Sequence, residues 1–421
     1  MGLLEFIRRL FLGEPDGERP KRVRRREPPL RLTMPPIVRP RGRREYVRRW
    51  PGGSRDRVAE NGLPWIPNRE ALARFLGLSM PELLWLADPQ RISAPSNPHY
   101  RMLVRNKRGG GARVLLAPRP RLAAVQRKVL RTLLDPLEPT PWAHGFVRGR
   151  SIRSYAHPHV GREVVVHLDL ADFFHHFTLR DVSGLFHALG YPPEVSRTLA
   201  YLTTAPVRDM AESVCRGTSW PPQRFLNAVH PARPSRLARS RNSPARHVHP
   251  GRRAHPILAQ GSPTSPALAN LLCRRLDRRL AGLARRFEAE YTRYADDLAF
   301  SGGAELRRGL PRFLPLVKRI VRSEGLQVAP EKLVVARKGG RQKLCGLIVN
   351  RRLNVPAEDY RLLRAILHNC ARHGPASQNR AGVPDFRAHL LGRIAHVRSV
   401  NPERGARLLA ALERIPAEAW G

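Results

Sequence analysis

The sequence predicts an α+β protein with two or three subdomains. Its 421 residues, 42% of them apolar, are enough to bury a large hydrophobic core. Apolar runs of strand length alternate with amphipathic helical patterns from about residue 100 to 350, whereas the apolar residues after about residue 357 recur at helical spacing. We therefore expect a mixed body of sheet and helices that ends in a compact helical domain.

The net charge is the most unusual property of the chain. It contains 76 Lys and Arg against 34 Asp and Glu, which gives a formal charge of +42. A protein this basic is expected to bind a polyanion, and nucleic acid is the default candidate. A codon bias towards Arg, Ala and Pro would raise the same count without any ligand, so charge alone leaves both explanations open.

Cysteine spacing and hydropathy predict the compartment. The four cysteines are far apart and form no Cys-x-x-Cys pair, which is typical of free thiols in a reducing compartment. The first residues become charged too early for a secretory signal, and no apolar run approaches the length of a membrane span. We expect a cytoplasmic protein without a membrane partner.

The N-terminal part combines a basic extension with a small helical module. Residues 1–65 are rich in Arg and Pro, so they would either hold phosphates from an extended chain or form a disordered tail. Asn68 and Ser79 can each cap a short helix.

A basic hairpin follows the helical module. Strand patterns from Tyr100 onwards flank a glycine-rich stretch at residues 106–113, in which Lys107 and Arg113 place cations near a backbone that phosphates can approach. An ordinary turn is the alternative. The next segment, residues 122–134, predicts an amphipathic helix.

An acidic residue ends the most apolar strand of the chain. Residues 164–168 predict a buried strand that runs directly into Asp169. A carboxylate in such a place needs a partner because its burial alone is costly, and a cation is the natural one. Asp172 is expected to cap the next helix instead.

A basic insertion at about residues 205–256 precedes a loop of small residues. The stretch 213–256 contains no acidic residue, and it would either contact phosphate from the surface or be disordered. The loop at residues 258–267 then leads into a helix. Gly261 would let a nucleotide approach the backbone there, and Gln260 can both donate and accept hydrogen bonds.

Two adjacent acids, Asp296 and Asp297, lie in a predicted hairpin tip at residues 294–297 (Tyr-Ala-Asp-Asp). Neighbouring side chains of a strand point to opposite faces, so a bend must intervene if both acids serve one site. Their repulsion is costly unless cations neutralise it, and a two-metal phosphoryl-transfer centre is the commonest such setting. A solvated Asp-Asp turn is the alternative for this stretch by itself.

The remaining elements follow from periodicity. We predict a helix at residues 310–323, strands at 333–336 and 343–349, and helices from about residue 357.

The order of these motifs resembles that of reverse transcriptases. The shared motifs are Asp169 with the aromatic pair four and five residues later, residues 260–266 (Gln-Gly-Ser-Pro-Thr-Ser-Pro), residues 294–297, and then Lys332. The resemblance covers roughly residues 70–400 and implies a right-hand polymerase with fingers, a palm made of an antiparallel sheet plus helices, and a helical thumb.

The resemblance also implies where the parts of the hand lie. We expect a basic extension at 1–65, a helical module and fingers at 66–160, the palm with some fingers elements and the basic insertion at 161–350, and the thumb at 351–421.

Within that group the chain most resembles bacterial retron enzymes, through residues 144–152, 156–159 and 346–350. Two places depart from the retron pattern. Those enzymes typically carry Asn where this chain has Tyr155, and Val-Thr-Gly where it has residues 344–346 (Leu-Cys-Gly). We expect these differences to bear on the choice of RNA.

The chemistry implied by the resemblance is attack of a primer hydroxyl on the α-phosphorus of a dNTP, assisted by two Mg²⁺ ions. Asp169 and Asp296 would bridge the ions, Asp297 would assist, and the carbonyl of Leu170 would complete one coordination shell.

Five residues are implied to bind the nucleotide. Lys107 and Arg113 would neutralise the triphosphate, Lys332 would protonate or polarise the pyrophosphate, and Gln260 would contact the nucleotide or the template base. The ring of Phe174 would pack under the sugar and collide with a ribose 2′-hydroxyl, which predicts dNTP as substrate. Core packing for Phe174 and solvated surface charge for the three cations are the alternatives.

The retron resemblance implies a structured non-coding RNA as template and primer, and a branched RNA–DNA hybrid (msDNA) begun from a 2′-hydroxyl. It also implies a role in anti-phage defence with an accessory effector protein. The alternatives are a bacterial reverse transcriptase of group II intron, abortive-infection or CRISPR-associated type, and a catalytically silent RNA-binding structural protein. Three acids without cations would only destabilise such a binder, which disfavours it.

Overall fold

The computed structural model describes residues 52–87, 99–106, 112–205 and 256–420. Lys107, most of the predicted basic extension and nearly all of the predicted insertion lie outside these residues. The described residues within Met1–Thr140 and Asp172–Arg275 form one compact unit, and those within Pro141–Ala171 and Leu276–Gly421 form a second. The predicted boundaries of fingers, palm and thumb stay a prediction.

Helices and strands account for most of the described residues. The strands are β1 Tyr100–Asn106, β2 Ala112–Pro118, β3 Val164–Asp169, β4 Ala289–Tyr294, β5 Asp297–Gly302, β6 Val334–Arg337, β7 Lys343–Leu344 and β8 Leu347–Ile348. The α-helices are α1 Arg55–Glu60, α2 Arg69–Leu76, α3 Met80–Ala87, α4 Pro120–Val129, α5 Ile152–Ala156, α6 Leu179–Ala188, α7 Pro193–Thr203, α8 Ser265–Leu272, α9 Arg274–Arg286, α10 Ala304–Ser323, α11 Ala357–His373, α12 Phe386–Val400 and α13 Pro402–Glu413.

The first unit packs helices beside the predicted hairpin. β1 and β2 pair antiparallel from Tyr100 opposite Pro118 to Asn106 opposite Ala112, which confirms the hairpin. The side chain of Asn68 caps α2 by accepting from the backbone of Ala71, as its sequence position predicts. The segment after α4 continues as a π-helix, Leu130–Leu134, so the predicted helix at 122–134 is present with a widened last turn.

The second unit is built on a four-stranded antiparallel sheet with the order β4-β5-β3-β6. Strand β3 lies inside the sheet; Val164, Val166 and Leu168 are buried on one of its faces, and Val165 is buried on the other. This burial on both faces explains why the strand reads as a continuous apolar run.

The C-terminal helices form the other half of the second unit's core. Helices α11, α12 and α13 bury one apolar stripe each around the β7–β8 hairpin; the buried residues include Leu344, Leu347, Leu363, Leu367, Leu390, Ile394, Leu408 and Leu412. The predicted compact helical tail is therefore present, and the β7–β8 hairpin is anchored in it.

Two elements differ from their predictions. The predicted strand at 343–349 is two short strands, because Cys345 and Gly346 both adopt positive φ, 43° and 85°, and reverse the chain. Helix α10 begins six residues before residue 310 and includes Pro311 and Pro315. Both prolines are exposed, and the helix persists because it buries an apolar stripe on its other face.

Among residues 52–87, 99–106, 112–205 and 256–420, no helix is both long and apolar enough to cross a membrane.

Gly405 marks a close approach of α13 to α12. A Cβ built at this position would lie far closer to the Cα of Arg398 than van der Waals contact allows. A Cβ at Gly392 of α12 would meet nothing within 4 Å. We expect Gly405→Ala to lower the free energy of unfolding by about 1–3 kcal/mol through overpacking. Gly392→Ala, the matched control, should leave it unchanged or raise it by up to about 1 kcal/mol. Denaturant titration measures both; equal behaviour of the two variants would contradict the close packing of these helices.

Candidate active site

Three acidic side chains come together at one end of the sheet of the second unit. Asp169 is the last residue of β3 and pairs directly with Asp297, the first residue of β5, so the two side chains share a face. Asp296 lies in the two-residue turn between β4 and β5, where Ala295 has a φ of 57°. The predicted bend between the adjacent acids is therefore present.

The turn that carries Asp296 is tied to the end of β3. The backbone N–H of Leu170 donates to the carbonyl of Asp296 at 3.0 Å. On the other side of the segment, Ala171 donates to the carbonyl of Gln327 at 2.9 Å, and Ala329 donates to the carbonyl of Asp169 at 2.8 Å. These bonds leave the backbone around the acids little freedom to move.

Like charges and burial dominate the electrostatics of this cluster. Burial and the negative charges of Asp169 and Asp297 raise the pKa of Asp296 to about 7. The ammonium of Lys332 donates to Asp169. Burial lowers the pKa of Lys332, but the hydrogen bond and charge of Asp169 outweigh it and raise that pKa above its ordinary value. The cluster thus attracts positive charge.

Asp297 is held by two side chains that sequence reasoning missed. His167 Nε2 donates to Asp297 Oδ1 at 2.9 Å, and the thiol of Cys345 donates to Asp297 Oδ2 at 3.2 Å. Burial and the charge of Asp297 raise the pKa of the Cys345 thiol, which keeps it protonated and able to donate. The period-two spacing of His167 and Asp169 on β3 was a signal for the histidine, whereas the sequence marked Cys345 only as part of a departure from the retron pattern and not as a partner of Asp297.

A fully buried ion pair supports the hairpin tip from behind. The guanidinium of Arg293 donates to both carboxylate oxygens of Asp277, at 2.7 and 2.8 Å, and both side chains are inaccessible to solvent. The hydroxyl of Tyr291 donates to the same carboxylate at 2.9 Å. Arg293 Nη1 also donates to the carbonyl of Ala295 at 3.2 Å. The ion pair thereby fixes the peptide immediately before Asp296.

A buried histidine links the two strands of the hairpin to α5. The ring nitrogens of His159 lie 2.7 Å from Ser301 Oγ on β5 and 2.7 Å from Thr292 Oγ1 on β4. The hydroxyl of Thr292 donates onward to the carbonyl of Tyr155 at 3.0 Å. Burial lowers the pKa of His159 to about 3, so its ring is neutral.

The two departures from the retron pattern lie near this hairpin. The ring of Tyr155 is fully buried and meets the ring of Tyr294 edge-on, with 5.7 Å between centroids. Its hydroxyl has no hydrogen-bond partner in the part of the chain that the structure describes. The other departure contains Cys345, which contacts Asp297.

The remaining predicted site residues belong to the first unit. Phe174 lies half-buried in the 3₁₀ turn Phe173–His176, with its ring centroid 5.3 Å from that of Phe173. The backbone of Arg113 pairs with Arg105 in the β1–β2 hairpin, and its side chain lies outside the described part. Asp172 precedes the 3₁₀ turn with a φ of 46° and does not cap it with its side chain.

The loop that carries Gln260 is tightly held within the first unit. The carbonyl of Gln260 accepts from Leu116 at 2.8 Å, and Gly261 has a φ of 116°, so the glycine is required there. Ser262 donates to Gln126 at 2.8 Å, and Gln126 donates in turn to the carbonyl of Leu202 at 2.8 Å. The side chain of Gln260 stays partly exposed.

The oxygen ligands of the three acids suit a hard divalent cation such as Mg²⁺. Asp169, Asp296 and Asp297 bring three carboxylates to one end of the sheet, where burial and the charges of the other two acids raise the pKa of Asp296. In this arrangement Lys332, His167 and Cys345 already donate to two of them. Among the described residues, no three His, Cys, Asp or Glu side chains form a ready coordination cage. The fit to such a cation therefore rests on the oxygen-ligand chemistry of the three acids and not on a formed cage.

Breaking the buried ion pair is expected to be costly. Asp277→Ala leaves the guanidinium of Arg293 buried without its counter-charge, which should lower the free energy of unfolding by about 3–5 kcal/mol. Glu403→Ala removes an exposed partner of Arg407 on α13 and serves as control, because exposed pairs contribute little. Urea unfolding of both variants measures the difference, and a similar small loss for each would rule out the proposed support.

The reverse transcriptase (RNA-dependent DNA polymerase) family matches residues 105–349, which include all three acids and Lys332. Curated relatives extend the similarity over most of the chain. The Retron Mx65 reverse transcriptase of Myxococcus xanthus is 42% identical over 353 residues, covering 83% of this chain and 72% of that protein. The Retron Mx162 reverse transcriptase of the same organism is 36% identical over 379 residues, covering 86% and 70%.

A more distant relative is matched over nearly the whole of its own length. The Retron Ec86 reverse transcriptase of Escherichia coli is 26% identical over 367 residues, covering 85% of this chain and 92% of that protein. The antiparallel sheet with its flanking helices is the mixed polymerase fold of this family. The chain therefore belongs to the reverse transcriptases of retron type, which are RNA-directed DNA polymerases.

Proposed function

We propose that Asp169, Asp296 and Asp297 form the catalytic centre at which this chain copies a structured non-coding RNA into DNA. The observation that supports this most strongly is the meeting of three carboxylates from two strands and a turn, held there by backbone bonds from both sides. The proposed centre lies entirely in the second unit.

Two Mg²⁺ ions are the cofactors that this donor set suits. Asp169 and Asp296 would hold both ions, Asp297 would assist, and the carbonyl of Leu170 would add a further oxygen ligand. When bound, the ions would lower the pKa of the primer hydroxyl and neutralise charge on the triphosphate. The protein's own part is to keep three like charges in fixed positions before the substrate arrives.

Lys332 has a role that changes with the state of the site. Its side chain is 59% exposed, and its ammonium pairs with the buried carboxylate of Asp169. We assign it to neutralise Asp169 before the cofactor binds and then to turn towards the pyrophosphate. A lysine suits this exchange because its ammonium is a mobile point charge on a flexible stem.

Four residues are assigned to the nucleotide. Arg113 of β2 and Lys107, which lies outside the described residues, would neutralise the triphosphate. Gln260 would contact the nucleotide or template base from a loop whose backbone is fixed by Leu116. Phe174 would pack under the sugar and reject a 2′-hydroxyl, which makes dNTP the substrate.

The retron relationship supports a more specific product. We propose that the chain primes from a 2′-hydroxyl of its RNA and makes a branched RNA–DNA hybrid (msDNA), in anti-phage defence with an accessory effector protein. The RNA would be held chiefly through its phosphates, given a net charge of +42. The similarity to three retron enzymes favours this over intron, abortive-infection or CRISPR-associated types.

Substitution of the acids tests the catalytic centre. We expect Asp169→Asn, Asp296→Asn and Asp297→Asn each to reduce primer extension on an RNA template by at least about 100-fold, because charge stabilisation at the reacting phosphate is worth several kcal/mol. RNA affinity should hardly change. Asp359→Asn, an exposed acid on α11, is the control and should extend normally. Normal extension by any of the three variants would refute its assignment.

The nucleic acid bound to the protein tests the retron product. The full chain, expressed with its native flanking DNA and purified, should carry DNA joined to RNA through a 2′,5′ branch. Sequencing before and after treatment with a debranching enzyme identifies that linkage. Co-purified DNA with an ordinary 3′,5′ junction to a primer would instead favour a reverse transcriptase that is not primed from a 2′-hydroxyl.

A further inference from the structure

We infer that His167 and Cys345 are positioning residues that hold the Asp297 carboxylate in one orientation for cation binding. The inference rests on the role proposed above for Asp297. It goes beyond that role because the orientation of Asp297 then depends on His167 and Cys345, neither of which is one of the three acids.

The geometry that carries the inference is a two-sided clamp on one carboxylate. His167 Nε2 lies 2.9 Å from Asp297 Oδ1, and Cys345 Sγ lies 3.2 Å from Oδ2. The two donors come from different elements, β3 and the β7–β8 turn. The terminal torsion of an aspartate is broad and roughly two-fold when unrestrained, so donors on both oxygens select one orientation.

Each donor is itself held in place by its surroundings. His167 lies on β3 between Ala299 of β5 and Val334 of β6, so its backbone is fixed by pairing on both sides. Cys345 adopts a φ of 43°, which is uncommon for a residue with a side chain. Such a conformation persists only where neighbouring packing enforces it.

The packing that enforces Cys345 comes from the C-terminal helices. Its neighbours on the β7–β8 hairpin, Leu344 and Leu347, are 1% and 0% exposed and belong to the apolar core formed with α11, α12 and α13. The thiol therefore reaches Asp297 from a rigid support. Through Cys345, the helical C-terminal core contributes one contact to the proposed centre.

Both donors leave the carboxylate able to bind a cation. Each carboxylate oxygen has two lone pairs, so one hydrogen bond per oxygen leaves an acceptor site on each. A carboxylate that is already oriented loses less conformational freedom when the cation enters. Residues that orient a metal ligand in this way typically change metal affinity by about 10–100-fold when removed.

Mn²⁺ binding to the purified full chain tests the clamp without relying on activity. Free Mn²⁺ is measured by electron paramagnetic resonance during titration of wild type and variants. We expect His167→Ala and Cys345→Ala each to weaken binding by about 10-fold. His167→Gln and Cys345→Ser keep a donor and should stay close to wild type. His368→Ala, an exposed histidine on α11, is the control.

A double-mutant cycle separates positioning from general structural damage. In the Asp297→Ala background, His167→Ala and Cys345→Ala should cause no further loss of Mn²⁺ affinity, because their target is gone. Thermal melting shows whether each variant is folded. If an alanine variant unfolds, Cys345→Val or His167→Leu replaces it, because each removes the donor but fills the space. Weaker Mn²⁺ binding with Asp297 present, and no further loss without it, is the expected result.

The outcomes distinguish the clamp from the proposed catalytic centre. If Asp297→Ala weakens Mn²⁺ binding but folded His167→Ala and Cys345→Ala do not, the clamp is wrong and the centre stands. A full additional loss in the Asp297→Ala background also overturns the clamp. If Asp297→Ala binds Mn²⁺ as wild type does, the metal role of Asp297 fails and the inference fails with it.

Discussion

Mutual repulsion among three carboxylates is the constraint around which the second unit is arranged. Asp169, Asp296 and Asp297 meet where β3 and the β4–β5 hairpin end, and burial together with this repulsion raises the pKa of Asp296. The fold tolerates this repulsion because backbone bonds on both sides of Asp169, from Leu170 and Ala329, hold the segment in place. The ammonium of Lys332 reduces the repulsion among the carboxylates, and the proposed Mg²⁺ ions would reduce it further.

Behind the acids, buried polar groups are almost completely paired. Arg293 and Asp277 satisfy each other and anchor the peptide before Asp296, while His159 joins β4 to β5 through two hydroxyls. Buried polar networks of this kind favour one arrangement over others because any displacement leaves a group unsatisfied. Two groups of the second unit depart from that rule in the described part of the chain, the hydroxyl of Tyr155 and Oε1 of Gln342. Tyr155 lies in the same core as the β7–β8 hairpin.

Paired buried polar groups also fix the loop that carries Gln260 in the first unit. Gln126, itself buried, joins Ser262 to the carbonyl of Leu202, and Gly261 lets the loop pass against the backbone of Leu116. Both the proposed acidic centre and the loop proposed to contact the nucleotide would benefit from rigidity, since chemistry depends on placement to within fractions of an ångström. Within each unit a separate hydrogen-bond network holds the predicted site residues.

The sequence by itself determined the α+β class, the hairpin at residues 294–297, the acid that ends β3 and the helical C-terminal part, because each depends on local periodicity and turn chemistry. It also determined the reverse transcriptase family, through the order of its motifs. Tertiary structure alone decided that Asp169 pairs with Asp297, that Arg293 is neutralised by Asp277, and that Cys345 reaches the site. Local patterns show which face of an element is apolar, but the partner of a buried polar group depends on packing between segments far apart in the chain.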